Sequence, residues 1–404
     1  MIGISRKLAA VLLAAGAAPV AAQPAAVAAP GATAAPAPQA MPDMPLTTAE
    51  ARQAASDLAT ILETNFVFPD VAHHYADALR TKAAAGGYDG FTSAFEFARQ
   101  VTADLRAVAP DNHLKLMVAP PGGGAPGMGP AAVTAHPAAG TPPGAAGPGP
   151  AGAPRLVRMA AGPASEQARW LAPGIAFVRF NLFPGDADTV AAAARFMADH
   201  AEAKTIIFDI RTHRGGGLAE MNAIFPFLFA KPTVLVAMDT RASVDRAQGD
   251  GDEPQVRRVP AAGDIVHREH YVTPSTTEKR LFGAKVFVLT SARTGSAAEH
   301  FALALKRTHR ATLIGETTGG AGNYGGFQPV GAKFLAFVPV GHSFDPDTGK
   351  GWEGVGVAPD VAVPAERALV EALTRSGVAP ADAERLSAEA APAGPMTRLV
   401  PRHD

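Results

Sequence analysis

The chain has 404 residues and a formal net charge of -1, which excludes a general electrostatic attraction to nucleic acid or acidic membranes. It has no cysteine, which excludes a disulfide framework, a thiol nucleophile and a lipid-bearing cysteine. The 41 Gly and 36 Pro are bunched, so linker-like segments take up much of the length.

Residues 1–22 carry Arg6 and Lys7, then the apolar core LAAVLLAAGAAPVAA, then the small residues Val20 and Ala22 before Gln23. This is the pattern of a secretory signal peptide cleaved near Ala22 and Gln23, and it predicts a periplasmic or secreted protein. The core is too short for a membrane span, and no later stretch offers the roughly 20 uninterrupted apolar residues that spanning needs. Residues 23–45 are Ala/Pro-rich and read as a disordered linker.

Residues 46–118 read as a small helical subdomain. Its first helix opens at LTTAEARQ, where Thr47 and Glu50 form a capping box ahead of an apolar-periodic run. Further helices are expected at about 70–85 and 91–107, followed by DNHL (111–114) and a short strand. Residues 119–168, beginning APPGGGAPGMGP, lack the means to bury a core for most of their length and read as a linker or long loop.

Residues 169–372 read as an α/β core. Short apolar runs at 174–180, 205–210, 232–238, 285–290, 311–315 and 334–340 predict buried strands, with helices at about 188–202, 218–229 and 297–307. Residues 373–404 are expected as a C-terminal tail. In such cores ligands bind beyond the carboxyl ends of the strands.

TGSAAEHF (294–301) follows one of these strands, with Ser296 at the start of a predicted helix. Ser-x-x-Glu is a capping box, so Ser296 with Glu299 is explained by helix capping alone. It also suits a nucleophile, since a helix N-terminus favours developing negative charge. Gly-x-Ser-x-Gly is not present, because Thr294 and Ala298 flank the motif, which argues against the α/β-hydrolase elbow. RGGGL (214–218) suits a tight turn or an anion-binding loop, and it lacks the lysine and spacing of a P-loop. Asp209 and Arg211 lie two apart on a strand and are expected to brace that turn. The histidines show no metal-binding spacing, and no metal or cofactor is expected.

Three blocks, DIRTHRGGG (209–217), TSARTGSAAEHF with its continuation to Gly320, and WEGVGVAPD (352–360), follow one another in an order that resembles the C-terminal-processing, or tail-specific, serine peptidases. With DNHL included, the chain is most similar to the branch containing the Tricorn core peptidase and the interphotoreceptor retinoid-binding-protein repeats. The resemblance spans about 46–118 and 170–370 and implies a crotonase-like or Clp-protease-like core. No PDZ pattern precedes it. Ala321 stands where the Ser-Lys branch has its lysine, so lysine is not the base.

The resemblance implies Ser296 as nucleophile, His113 as base and Glu353 as orienter of the imidazole, acting through Asn112. A serine hydroxyl needs a base within reach, and an imidazole needs a group that fixes its tautomer, so these roles are chemically consistent. Backbone N–H groups of Gly215 or Gly216, with that of Ala297, are the expected oxyanion donors. His213 replaces an asparagine usual in the family. The implied activity is hydrolysis of peptides or unfolded proteins. The same scaffold also allows a non-catalytic carrier of retinoid- or fatty-acid-like ligands. An acyl-thioester enzyme would not need Ser296 and would find little substrate outside the cell.

Overall fold

This computed structural model describes residues 44–119, 163–248, 253, 255–261 and 263–398. The signal segment 1–22 and most of the two linkers, 23–45 and 119–168, lie outside the described residues. In chain order the elements are α1 (Thr48–Asn65), α2 (Pro69–Ala84), α3 (Ala94–Val108), β1 (Lys115–Val118), β2 (Ser165–Ala172), β3 (Ile175–Phe180), α4 (Ala187–Asp199), β4 (Thr205–Asp209), α5 (Ala219–Ile224), β5 (Thr233–Arg241), α6 (Ala242–Gln248), β6 (Val256–Val259) and β7 (Ile265–Val272). There follow β8 (Lys285–Thr290), α7 (Ala297–Arg307), β9 (Thr312–Gly315), β10 (Asn323–Val330), β11 (Phe334–Phe344), β12 (Val361–Ala362), α8 (Ala368–Arg375) and α9 (Pro380–Glu389).

One sheet runs β12-β9-β8-β4-β3-β2 and is parallel except for the edge strand β2. Its central strands β3, β4 and β8 are almost wholly buried and largely apolar on both faces, as a sheet covered on both sides requires. In β3, Ala176, Val178 and Phe180 face the core built with α4, α5 and α7, while Ile175 and Phe177 face the core built with α8 and α9. This is a mixed α/β fold consistent with a Clp-protease-like core.

The second sheet is antiparallel, in the order β1-β11-β5-β7-β6, with β10 paired to β11. The helices α1 to α3 pack their apolar stripes onto it, so Leu58, Leu62, Phe97 and Val101 share one core with Val330, Phe334, Ala336 and Val338. The helical region is therefore not a bundle with a core of its own. Its β1 lies alongside β11, in register from Lys115 opposite Phe337 to Val118 opposite Phe334. That pairing fixes where DNHL, immediately before β1, is presented.

The segment from 373 on was expected only as a tail. Instead Leu373, Ala383, Leu386 and Ala390 are buried against the parallel sheet beside Phe287 and Leu289. Sequence reasoning also passed over β2, β6, β7 and β10. No helix among the described residues is long and apolar enough to cross a membrane.

Candidate active site

The neighbours β4 and β8 are parallel, so the loops after Asp209 and Thr290 leave the sheet on the same edge. They are stitched together. Thr294 Oγ1 donates to the Ile210 carbonyl at 2.8 Å, Gly295 N–H to the His213 carbonyl at 3.1 Å, and the Ser291 hydroxyl to the Arg211 carbonyl. Asp209 and Arg211 brace this edge as expected. The fully buried Asp209 takes Arg179 Nε at 2.9 Å and Arg211 Nε and Nη2 at 2.8 Å each, while Arg211 Nη1 reaches the Ala365 carbonyl at 2.8 Å. Burial opposes ionisation of Asp209, but Arg211 and Arg179 outweigh it and hold the carboxyl below its ordinary range.

Ser296 stands at the start of α7 with φ 56° and ψ −122°. Positive φ in a non-glycine residue costs about 1–3 kcal/mol and is found where a site demands it. A helix needs only a β-region cap, so capping does not account for this backbone. Glu299 N–H bonds to the Ser296 carbonyl at 2.8 Å and Glu299 Oε2 accepts from Ser296 N–H at 2.9 Å, so the capping box expected between these two residues is present alongside the strained backbone. Phe301, stacked on Phe225 at 5.3 Å and edge-on to Phe208 at 5.3 Å, anchors α7 in the core. Burying such a ring contributes roughly 1.5–3 kcal/mol.

Gly215 lies directly against the serine, for a Cβ built on it would meet Ser296 Cβ at 2.7 Å and Oγ at 3.2 Å. Its φ of 116° and that of Gly216, 131°, are open only to glycine. The Gly215 N–H is already taken, however, by His213 Nδ1 at 3.0 Å. Among the described residues no acceptor takes the N–H of Gly216 or Ala297. Of the expected oxyanion donors, these two are open and Gly215 is not.

His113 comes together with Glu353, but also with Asp111, which the sequence reading did not assign. One ring nitrogen of His113 and a carboxylate oxygen from each acid lie within 4.8 Å of one another. Asp111 Oδ1 accepts the N–H of His113 and Leu114 at 2.8 Å each, and Oδ2 accepts Asn323 Nδ2 at 2.7 Å. Asp-x-His, with the acid two residues ahead of the histidine whose backbone N–H it accepts, was the signal available in DNHL. His113 Nδ1 is buried with no partner, and its ring stacks on Phe337 at 5.4 Å. Burial pushes the His113 pKa down, with Asp111 opposing.

Glu353 Oε1 accepts from the Asn112 backbone N–H at 2.8 Å, and Oε2 from Gly322 N–H at 2.6 Å and Asn323 N–H at 2.9 Å. Burial first and Asp111 second raise its pKa to about 7. Asn112 thus meets Glu353 through its backbone N–H, while its side-chain amide donates to the Gly320 carbonyl. No hydrogen bond joins His113 to Ser296 among the described residues. The connection runs through Glu299, whose oxygens take Thr318 Oγ1 and Gly320 N–H at 2.6 Å each and Ala321 N–H at 2.7 Å. Glu299 thus ties the nucleophile segment to the loop that carries Asn112 on one carbonyl and Glu353 on the next N–H groups.

Asp111, His113 and Glu353 are also the residues that could hold a cation. Every one of their carboxylate oxygens already accepts from the protein, so the cluster is built for internal hydrogen bonding rather than for ligation.

The fold and site define an α/β protein with a backbone-strained serine at a strand-to-helix turn, a glycine cradle beside it, and a half-buried histidine–carboxylate cluster tied to the serine's segment through Glu299. The model of peptidase family S41 matches residues 174–363, and that of the N-terminal domain of peptidase S41 in eukaryotic IRBP matches 43–139. Together they span more than half of the chain, which belongs to peptidase family S41. Among solved structures, the chain is similar to the photosystem II D1 C-terminal processing protease (21% identity, TM-score 0.37, 54% of this chain and 48% of that one). It is also similar to a lipoprotein from Streptococcus agalactiae (12%, TM-score 0.44, 84% and 100%) and to the tricorn protease (20%, TM-score 0.31, 54% and 18%). The chain thus spans about half the length of the D1 processing protease.

Proposed function

We propose that this chain is an exported serine peptidase that cleaves peptides or unfolded proteins, with Ser296 as nucleophile, His113 as base, and Asp111 and Glu353 as the carboxylates that support the imidazolium. Membership of peptidase family S41 supports hydrolysis of peptide bonds. The observation that carries the assignment is Ser296 itself, held at positive φ against Gly215, with the N–H groups of the next residues, Ala297 and Gly216, open. Ser296 Oγ attacks the substrate carbonyl carbon, and His113 takes the hydroxyl proton and later returns it to the leaving amine. The carbonyl oxygen becomes an oxyanion received by the two open donors, each such donor being worth about 10²–10³ in kcat. The absence of a Ser296–His113 hydrogen bond is compatible with this chemistry, since such contacts are often loose until substrate binds. Export rests on the signal-like residues 1–22.

The test is turnover of casein and of a broad peptide library by the mature protein and by Ser296→Ala. Ser296-dependent cleavage is expected. A protein that cleaves nothing in the library yet binds retinoid or fatty acid would overturn the peptidase reading in favour of the carrier.

A further inference from the structure

We infer that His213 is the positioning residue of the oxyanion cradle: its neutral ring accepts the Gly215 N–H and so turns the glycine loop that Gly216, not Gly215, becomes the loop's donor. This refines the hydrolase reading above and rests on it for the catalytic consequence, though not for the geometry.

The triple-glycine turn can be accounted for group by group. Gly215 N–H donates to His213 Nδ1 at 3.0 Å, and the Gly215 carbonyl accepts Phe183 N–H at 2.9 Å. Gly217 N–H donates to the Phe183 carbonyl at 2.8 Å. The N–H of Gly216 alone among these three finds no acceptor among the described residues, and it follows directly on Gly215, the glycine that packs against Ser296. The turn is clamped from two sides, by the Phe183 backbone and by the His213 ring. The first clamp leaves no slack, since a Cβ on Gly216 would lie 1.9 Å from the Phe183 oxygen.

His213 is built to hold that position. It is fully buried, its ring meets Phe183 edge-on at 4.2 Å, and its own backbone is pinned by Gly295 N–H on its carbonyl at 3.1 Å and by its N–H on Ile210 at 3.1 Å. A ring nitrogen that accepts an N–H carries no proton, so the neutral ring bears its proton on Nε2, which is buried without a partner. Burial, with Arg214 adding to it, pushes its pKa down to about 3, so the accepting form persists at any ordinary working pH. An unpaired buried donor is costly. The fold tolerates it at a position one residue pair away from the nucleophile's neighbour.

Asparagine carries Oδ1 on Cγ where histidine carries Nδ1, so His213→Asn can keep the acceptor, whereas His213→Phe keeps the ring contact with Phe183 and loses the acceptor. In amide hydrogen exchange followed by NMR on the Ser296→Ala background, Gly215 should be protected in the parent and in His213→Asn, and exchange at least tenfold faster in His213→Phe. In the active protein, His213→Phe should lower kcat by about 10²-fold with KM changed less than about threefold, the size expected for a misplaced donor. His213→Asn should recover most of that loss. His213→Leu serves as the second acceptor-free variant if His213→Phe does not fold. Unchanged Gly215 exchange in the acceptor-free variant, undiminished kcat in it, or an Asn variant no faster than the Phe variant would each overturn the inference. Loss of the hydrolase reading would show differently, as an inactive parent protein whose Gly215 protection still follows the acceptor at 213.

Discussion

Glu353→Gln offers a quantitative handle on the histidine–carboxylate cluster. Burial, and then the charge of Asp111, raise the Glu353 carboxyl from 4.5 to about 7. The folded state therefore holds a proton that the unfolded chain has released, and the stabilisation this provides is full below pH 4.5 and lost as pH rises through about 7. At 1.36 kcal/mol per unit, the window corresponds to about 3 kcal/mol. Glutamine cannot titrate, so this dependence should vanish in the variant. Its amide must set one NH₂ against the N–H donors of Gly322 and Asn323 or of Asn112, a cost of roughly 1–3 kcal/mol that is the same at every pH. Urea unfolding of both proteins at about pH 5 and about pH 8 isolates the effect, because groups common to both cancel. From the lower to the higher pH the parent should lose about 2.5 kcal/mol relative to the variant, part of the window being already passed at pH 5. Parallel curves would refute the reasoning and mean that the three N–H donors keep Glu353 ionised throughout.

Three other outcomes follow from the same geometry. The acid limb of kcat/KM should titrate near 7 with Glu353 and move below the ordinary histidine value of ~6.5 in Glu353→Gln, where the half-buried His113 is left to set it; an unmoved limb in a pH-rate series would contradict this. His113→Ala should lower kcat by several orders of magnitude with unchanged circular dichroism, leaving a residual of about 10³–10⁴ over water, and near-normal turnover would place the base elsewhere. Leu373→Ala, which opens a hole beneath the parallel sheet, should cost about 2–5 kcal/mol in chemical unfolding, and a loss below about 0.5 kcal/mol would mean the last helices do not share that core.

The parallel sheet was legible because its strands are buried on both faces and read as continuous apolar runs, and the helices on it carry clear periodicity. The antiparallel strands β6, β7 and β10 were not. IVHREHYV and NYGGFQPV interrupt their apolar residues with charge, glycine and proline, and most of their positions are only half-buried, so no continuous apolar run marks them. The helices α8 and α9 were missed for a different reason. Their apolar stripe is short and alanine-rich, and only the sheet it covers gives it meaning.

At the site, Ser296, the glycine turn and WEGVGVAPD were visible as motifs in a fixed order, yet motifs do not report which N–H is spent. Gly215 looked as good a donor as Gly216 until His213 was seen to take its N–H. Nor could the sequence tell that Asn112 meets Glu353 by its backbone N–H while its amide goes to Gly320. Asp111 stood unremarked beside His113 because its value comes from burial and from Asn323, a residue far along the chain.

The central claim is that Ser296 is a nucleophile rather than a helix cap alone. Treating the protein with a fluorophosphonate, followed by intact-mass measurement and peptide mapping, tests it most directly. One adduct is expected, on the peptide containing Ser296 and dependent on His113, with none in Ser296→Ala. A folded protein that takes no label at Ser296, or an Ser296→Ala variant labelled as fast as the parent, would contradict the account.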